Sequence, residues 1–338
     1  MADYYIGVFG ANGHTGRFVA AELTRRGVAA RWIGRDPTAL SQLQAGLGHG
    51  DMRVASADNP ASLLAAFEGL SAVINCAGPF LDTCRPVIAA ALEAGCHYLD
   101  VTAEQVTVLD TIATFDADAK AAGRVVMPAM AFFGGLADLL VTSIAGNWPD
   151  VDEIEIAVAL DSWHPTSGTR LTGERNTAAR LVVRNGTLVP VPSPPPTLAW
   201  DFPEPFGSQP VSCVALSEII TLSRHIKAGA VTSYMNAKPL ADLANKATPP
   251  PRGSDALGRS DQMFAMSARV RRGVDLRQAT VSGRDIYAVT APLAVEACVR
   301  LLEGATPAWA GVRAPGEVFD APSFLASLSG VLTSQSVS

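Results

Sequence analysis

Residues Tyr5 to Arg17 read YIGVFGANGHTGR, and no other stretch restricts the fold of this chain as strongly. Ile6, Val8 and Phe9 form a short apolar strand. Gly10, Gly13 and Gly16 follow as GxxGxxG, and Phe18, Val19, Ala20, Ala21 and Leu23 continue with helical spacing. A strand, a glycine loop and a helix in this order open nucleotide-binding α/β domains. Each glycine answers a separate demand: Gly10 a tight turn off the strand, Gly13 close approach of backbone to a pyrophosphate, Gly16 packing of helix on strand. The first helical turn then offers unpaired N–H groups and a positive dipole end to the phosphates. Asn12, His14 and Thr15 are polar side chains in the loop that can supplement these backbone donors. Such spacing arises by chance in a chain with 29 glycines; its place between an apolar strand and an amphipathic helix gives it meaning.

The residues after this helix extend the pattern. Strands are expected at Ala29 to Gly34, up to Arg53 to Ala55, at Ala72 to Asn75, His97 to Asp100 and Arg124 to Pro128, with helices between them. Asp36 and Pro37 supply an N-cap and a first helical residue. This alternation predicts an α/β Rossmann fold, a doubly wound parallel sheet with helices on both faces. Beyond it the rhythm changes. Ile154 to Leu160 (IEIAVAL) alternates as a half-buried strand, and further strands are expected at Val211 to Leu216, Val231 to Met235, Met263 to Val270 and Arg277 to Val281. Thr169 to Arg184 reads as a helix stopped by Asn185 and Gly186, and Pro190 to Pro205 as an irregular loop. The expectation is three regions: a dinucleotide-binding domain over 1–150, an α+β domain of mainly antiparallel sheet for substrate and dimerisation over 151–288, and a C-terminal helix and tail over 289–330 returning to the first domain.

Composition narrows the function classes. The net charge of −6 carries no long basic run, which argues against nucleic acid. Cys76, Cys84, Cys96, Cys213 and Cys298 are scattered, without a CxxC pair or a Cys/His cluster, so they read as thiols of a reducing compartment rather than a disulfide or metal framework. The most apolar run, Val125 to Val141, contains Pro128, Gly134, Gly135 and Asp138 and reads as buried strand, turn and helix, not a membrane span. A cytoplasmic enzyme without a metal is expected.

Several phrases together resemble the saccharopine dehydrogenase-like family of reductases, including its trans-acting enoyl reductase branch: FGANGHTGRFVAAEL (Phe9 to Leu23), IGRD (Ile33 to Asp36), VINCAGPF (Val73 to Phe80), AGCHYLDVTAE (Ala94 to Glu104), TSGTRLTG (Thr166 to Gly173) and GRDIYAVTA (Gly283 to Ala291). The resemblance implies a Rossmann domain with an inserted α+β domain, NAD(P) chemistry, and a contact of Asp58 to the adenine amine. Asp58 reads equally well as a helix N-cap ahead of Asn59 and Pro60. A homodimer is expected from fold analogy.

The residues themselves sharpen the coenzyme. A carboxylate at the end of the second strand recognises the ribose 2′-OH, whereas an arginine accepts a 2′-phosphate. Here Gly34 stands in the place of the acid and Arg35 follows, which predicts NADP(H). Asn75, Cys76, Ala77, Gly78, Pro79 and Phe80 follow the fourth strand, where small residues let the backbone lie along the coenzyme ribose and nicotinamide. Reduction also needs a proton donor or an oxyanion-stabilising group. Tyr98 and Asp100 point to one side of the fifth strand, with Thr102 and Glu104 beyond; their other reading is a buried tyrosine and a helix cap. His164 and Arg170, in SWHPTSGTR, offer positive charge to an anionic substrate group, or belong to a surface loop. Tyr234 and Lys238 match a Tyr-x-x-x-Lys pair, but Pro239 argues against one helix carrying both. The sum is an NADP(H)-dependent oxidoreductase that moves a hydride to or from a C=N or conjugated C=C bond of a small organic substrate. The alternative is an NADP-binding redox sensor or scaffold without turnover.

Overall fold

The first strand, β1 (Ile6–Phe9), is buried at every position because both of its neighbours in the sheet are strands and both faces are covered. The computed structural model describes residues 4–304 and 306–337. The chain divides into two units, residues 1–131 with 290–313 and residues 132–289 with 314–338.

In the first unit β1, β2 (Ala30–Gly34), β3 (Asp51–Val54), β4 (Ala72–Asn75), β5 (His97–Asp100) and β6 (Val125–Met127) alternate with α1 (His14–Arg25), α2 (Pro37–Leu47), α3 (Pro60–Phe67), α4 (Phe80–Glu93) and α5 (Gln105–Ala121). The strands lie in the order β6-β5-β4-β1-β2-β3, and Gly311–Val312 adds a further strand beside β6. All of these pairings are parallel. The order reverses between β1 and β4, the switch point at which doubly wound sheets leave a crevice at the strands' carboxyl ends. Helix α1 packs against helix Thr290–Gly304 and against α2, while α4 packs against both α3 and α5. Phe9, Ile33, Val73, Tyr98 and Val126 from the sheet meet Leu63, Phe67, Val87, Ile88 and Phe115 from α3, α4 and α5 in one core. Each such large apolar side chain contributes about 1.5–3 kcal/mol on burial. The register sets Phe9 opposite both Ile33 and Asn75, and Asn75 opposite Asp100. Gly10, Gly34, Cys76 and Asp100 are thereby brought to one edge.

The second unit is a mixed sheet with short helices. Its strands run in the order Thr197–Asp201, Ser208–Cys213, Lys227–Asn236, Asp150–Leu160, Met263–Arg272, Asp275–Arg284 and Leu332–Val337. Lys227–Asn236 and Asp150–Leu160 are parallel, the other pairs antiparallel. Met263–Arg272 and Asp275–Arg284 form a long hairpin, and the alternation of IEIAVAL falls on the central strand.

Three expectations change. The helix expected over Thr169 to Arg184 is Ser167–Arg175, and Leu181–Arg184 is instead a strand paired with Thr187–Pro190. Asn185 and Gly186 both have positive φ, 50° and 73°, which is the two-residue hairpin turn that Asn-Gly favours. The proline-rich segment contains an edge strand, Thr197–Asp201, a place where prolines nearby cost no interior ladder bonds. Finally, the tail divides. Gly311–Val312 joins the first sheet, and from Ala314 the chain belongs to the second unit. Among the described residues no helix is long and apolar enough to cross a membrane.

Candidate coenzyme site

The glycine loop is held from both sides. Gly10 N and Ala11 N donate to Ile33 O at 2.8 and 3.1 Å, and Cys76 N donates to Phe9 O at 2.8 Å. Gly10 has φ +81°, and a Cβ there would stand 2.9 Å from the backbone nitrogen and the Cβ of Ala77. The loops after β1 and β4 therefore touch, which requires glycine in one and a small residue in the other. A Cβ at Gly16 would stand 2.1 Å from Gly10 O, so the helix lies on the turn itself. Gly13 is the N-cap of α1 without a side-chain cap, and the first turn holds no acid. Neither a capping side chain nor a carboxylate competes with an anion there. His14 packs edge-on against Phe18 at 5.3 Å, and Thr15 is half-buried in the same turn. A backbone cradle that side chains would fill, opening on a helix N-terminus, fits a pyrophosphate.

At the end of β2, Asp36 caps α2 as expected, accepting from Thr38 N at 2.9 Å and Ala39 N at 3.1 Å. Arg35 is exposed and forms no ion pair among the described residues. Asn12 Oδ1 lies against Gly34, 2.8 Å from where a Cβ would stand. Asn59, not Asp58, caps α3, its Oδ1 accepting from Ser62 N at 3.1 Å. The exposed Asp58 carboxylate lies beside Ser56 and is left outside the helix, which removes the cap as its role.

The ends of β4 and β5 are joined by a closed polar network. Asn75 Oδ1 accepts from Ala77 N at 2.9 Å, and its Nδ2 reaches Tyr98 Oη at 3.1 Å and Thr83 Oγ1 at 3.4 Å. Thr83 donates to Ala77 O at 2.6 Å. Tyr98 donates to Asp100 Oδ2 at 3.0 Å, and Cys84 Sγ lies 3.4 Å from both oxygens. Asp100 Oδ1 accepts from Thr102 N at 3.0 Å and Ala129 N at 2.9 Å. Asn75, Tyr98 and Asp100 are completely inaccessible to solvent. Burial pushes the Tyr98 phenol and the Cys76 and Cys84 thiols up, with Asp100 adding to the effect. Burial also raises Asp100, against the pull of its donors. The structure thus brings Asn75, Tyr98 and Asp100 together as an internal brace for Cys76, Ala77, Gly78, Pro79 and Phe80. Glu104 closes the other end: its Oε1 accepts from Phe80 N at 3.3 Å and its Oε2 from Thr107 Oγ1 at 3.3 Å. It is 3% exposed, and burial lifts its carboxyl to about 7. Thr83 and Cys84 are the members that sequence reasoning missed; their spacing after Phe80 on α4 was the available signal.

His164 and Arg170 belong to the second unit and share no hydrogen bond among the described residues. Arg170 Nη2 donates to Asn245 O at 3.2 Å and Thr248 O at 2.7 Å, tying helix Ser167–Arg175 to that turn. Tyr234 lies on a strand and Lys238 on a separate helix, where it pairs with Asp242, so they do not form one helical pair. Among the described residues no group of three or more His, Cys, Asp or Glu side chains is placed to hold a metal.

Residues 6–127 match the saccharopine dehydrogenase NADP binding domain family, and the coenzyme of such a domain is NADP. Among curated proteins, the chain is similar to a probable mitochondrial saccharopine dehydrogenase-like oxidoreductase of Arabidopsis thaliana, 27% identical over 47% of this chain and 39% of that protein. It is also similar to the human saccharopine dehydrogenase-like oxidoreductase, 30% identical over 30% of this chain and 28% of that one. These matches thus span well under half the length of either relative. In fold, it resembles the L-glutamate-forming saccharopine dehydrogenase of Saccharomyces cerevisiae, with TM-score 0.67 and 12% identity over 99% of this chain and 100% of that one. The parallel Rossmann-like sheet with a second mixed sheet is the fold of that enzyme.

Proposed function

We propose, from the premise that residues 6–127 are an NADP-binding domain of the saccharopine dehydrogenase type, that this protein is an NADP(H)-dependent oxidoreductase acting on a small organic substrate. One observation supports this reading above the others. The sheet register gathers the glycine loop, the Gly34–Arg35 end of β2 and the Asn75–Phe80 segment along one edge. The loop shaped by Gly10, Gly13 and Gly16 and the N-terminus of α1 hold the pyrophosphate, Arg35 the 2′-phosphate, Asp58 the adenine amine, and Asn75 to Phe80 the ribose and nicotinamide. When bound, NADPH supplies a hydride. Tyr98 and Asp100 keep the Cys76–Phe80 segment in place from beneath. Glu104 holds a proton near neutral pH because its carboxyl is buried.

The bond reduced is a C=N, as in saccharopine-type chemistry, or a conjugated C=C, as in the enoyl reductase branch of the resemblance. Each gains negative charge, or loses positive charge, as the hydride arrives, and a nearby proton donor neutralises the negative charge that forms. The proposal includes a cytoplasmic homodimer. Free Cys76, Cys84, Cys96, Cys213 and Cys298 fit a reducing compartment, and light scattering checks the dimer. The test of function is transfer of deuterium from C4-deuterated NADPH to a panel of imines, enoyl thioesters and ketones. Label in a reduced product supports the oxidoreductase. Tight NADPH binding with no label in any product favours the sensor or scaffold.

A further inference from the structure

Gly34 ends β2 with an ordinary strand backbone and is not among the glycines of positive φ. Its lack of a side chain is therefore not a demand of the backbone. It leaves room for a neighbouring side chain. A Cβ at 34 would stand 2.8 Å from Asn12 Oδ1, and its next neighbour, Leu40 Cδ2, is at an ordinary 3.5 Å. Asn12 arrives there because its own carbonyl is pinned by Arg17 Nε at 3.0 Å and because Gly10 N and Ala11 N fasten the loop to Ile33 O. Its side-chain amide is half-buried and makes no hydrogen bond among the described residues. Arg17 holds the Asn12 carbonyl, and Arg35 and Asp36 follow Gly34 in the chain; both arginines are exposed, and Asp36 Oδ1 is engaged by two backbone amides of α2.

We propose that Asn12 and Gly34 form an interlocked coenzyme-selecting pair. The Asn12 amide occupies the room a side chain at 34 would need and presents its N–H groups, beside Arg35, to the 2′-phosphate. The same contact disfavours the carboxylate at 34 that would recognise a 2′,3′-diol, because the Asn12 amide must move to admit it. Coenzyme choice then rests, beside Arg35, on two coupled positions, one on the glycine loop and one on β2. This inference rests on the NADP reading of the site, and deepens it.

The experiment is a double-mutant cycle on the full chain, reading NADPH and NADH affinities by fluorescence titration. Asn12→Ala removes the amide and should weaken NADPH binding about tenfold or more, the usual loss for a hydrogen bond to a charged group. Gly34→Ala adds only a methyl group and should weaken NADPH binding to a similar extent, by displacing the amide. In the double variant the second change should cost less than about twofold, because the two act through one interaction. For NADH, Gly34→Asp alone should gain less than about threefold, and Gly34→Asp with Asn12→Ala at least about tenfold. Multiplying losses for the two alanine variants, or full NADH gain from Gly34→Asp alone, would overturn the interlock while leaving an NADP-preferring wild type intact. A wild type that binds both coenzymes equally would instead remove the reading beneath it, and the proposal with it. Thermal melts monitor folding, and the alanine pair decides the matter if Gly34→Asp does not fold.

Discussion

A Cβ on Gly16 would lie 2.1 Å from the carbonyl oxygen of Gly10, so the first helix and the phosphate loop rest on one another with no space for a methyl group. The obstructing atom is backbone, which cannot rotate away. Gly16→Ala should push α1 off the loop, at a cost of about 1–3 kcal/mol from overpacking. It should also abolish most of the rise in Tm that NADPH gives the wild type. Melting curves with and without NADPH check both effects. A wild-type ligand shift in the variant would show that the contact does not shape the site.

The Tyr98 phenol lies wholly inside the network that braces Cys76 to Phe80, donating to Asp100 and accepting from Asn75. Removing it leaves two buried polar groups short of a partner. Tyr98→Phe should therefore cost about 1–3 kcal/mol of stability and raise the KM for NADPH more than it lowers kcat. A large fall in kcat with unchanged KM and unchanged stability would instead place the phenol in contact with the substrate.

His97 Nδ1 accepts a hydrogen bond from Val125 N at 3.0 Å, which lengthens the β5–β6 pairing by one link. Burial, with Arg124 adding to it, lowers the imidazole to about 4. An unfolded chain titrates this histidine near its ordinary value of about 6.5. The unfolded state then binds more protons between those values, so stability is full above about pH 6.5 and falls as pH drops towards 4. The difference amounts to at most about 3 kcal/mol. His97→Gln keeps an acceptor without a titrating group, and urea unfolding across this range should lose that part of the slope. An unchanged slope would contradict the buried, neutral imidazole.

Glu104 works in the opposite sense. Its carboxyl is raised to about 7 by burial, with Asp100 and Asp82 adding repulsion, and against the donors Phe80 N and Thr107. The folded protein holds the extra proton, so this group's contribution is complete below about pH 4.5 and is lost as pH rises through 7. Glu104→Gln retains an acceptor for Phe80 N and should be more stable than wild type above pH 7, with the gap closing on acidification. Equal stability at pH 8 would show that the carboxylate is well solvated when charged.

How far these features were legible depended on how local their causes are. The strand, glycine loop and helix from Ile6 to Arg25, and the Asp36 cap with Pro37, are specified within a few residues, and both were readable. The pairing of Tyr98 with Asp100 on one side of β5 also followed from strand periodicity. Their complete burial did not, because it is imposed by Asn75 on β4, Cys84 on α4 and Ala129 beyond β6. Asn185–Gly186 carried a hairpin signal that helical-looking spacing upstream obscured. The Asn12–Gly34 contact joins residues that are separate in sequence, and only the loop's anchoring to Ile33 brings them together. Nothing in the spacing of the chain encodes it.

Coenzyme preference decides whether the edge formed by the glycine loop, Gly34 and Arg35 selects NADP(H) as proposed. The decisive experiment is fluorescence titration of the wild type and of Arg35→Ala with NADPH and NADH. The wild type should prefer NADPH by at least about tenfold, and Arg35→Ala should lose this preference with NADH affinity unchanged. Equal affinity of the wild type for the two coenzymes, unaffected by Arg35→Ala, would contradict it.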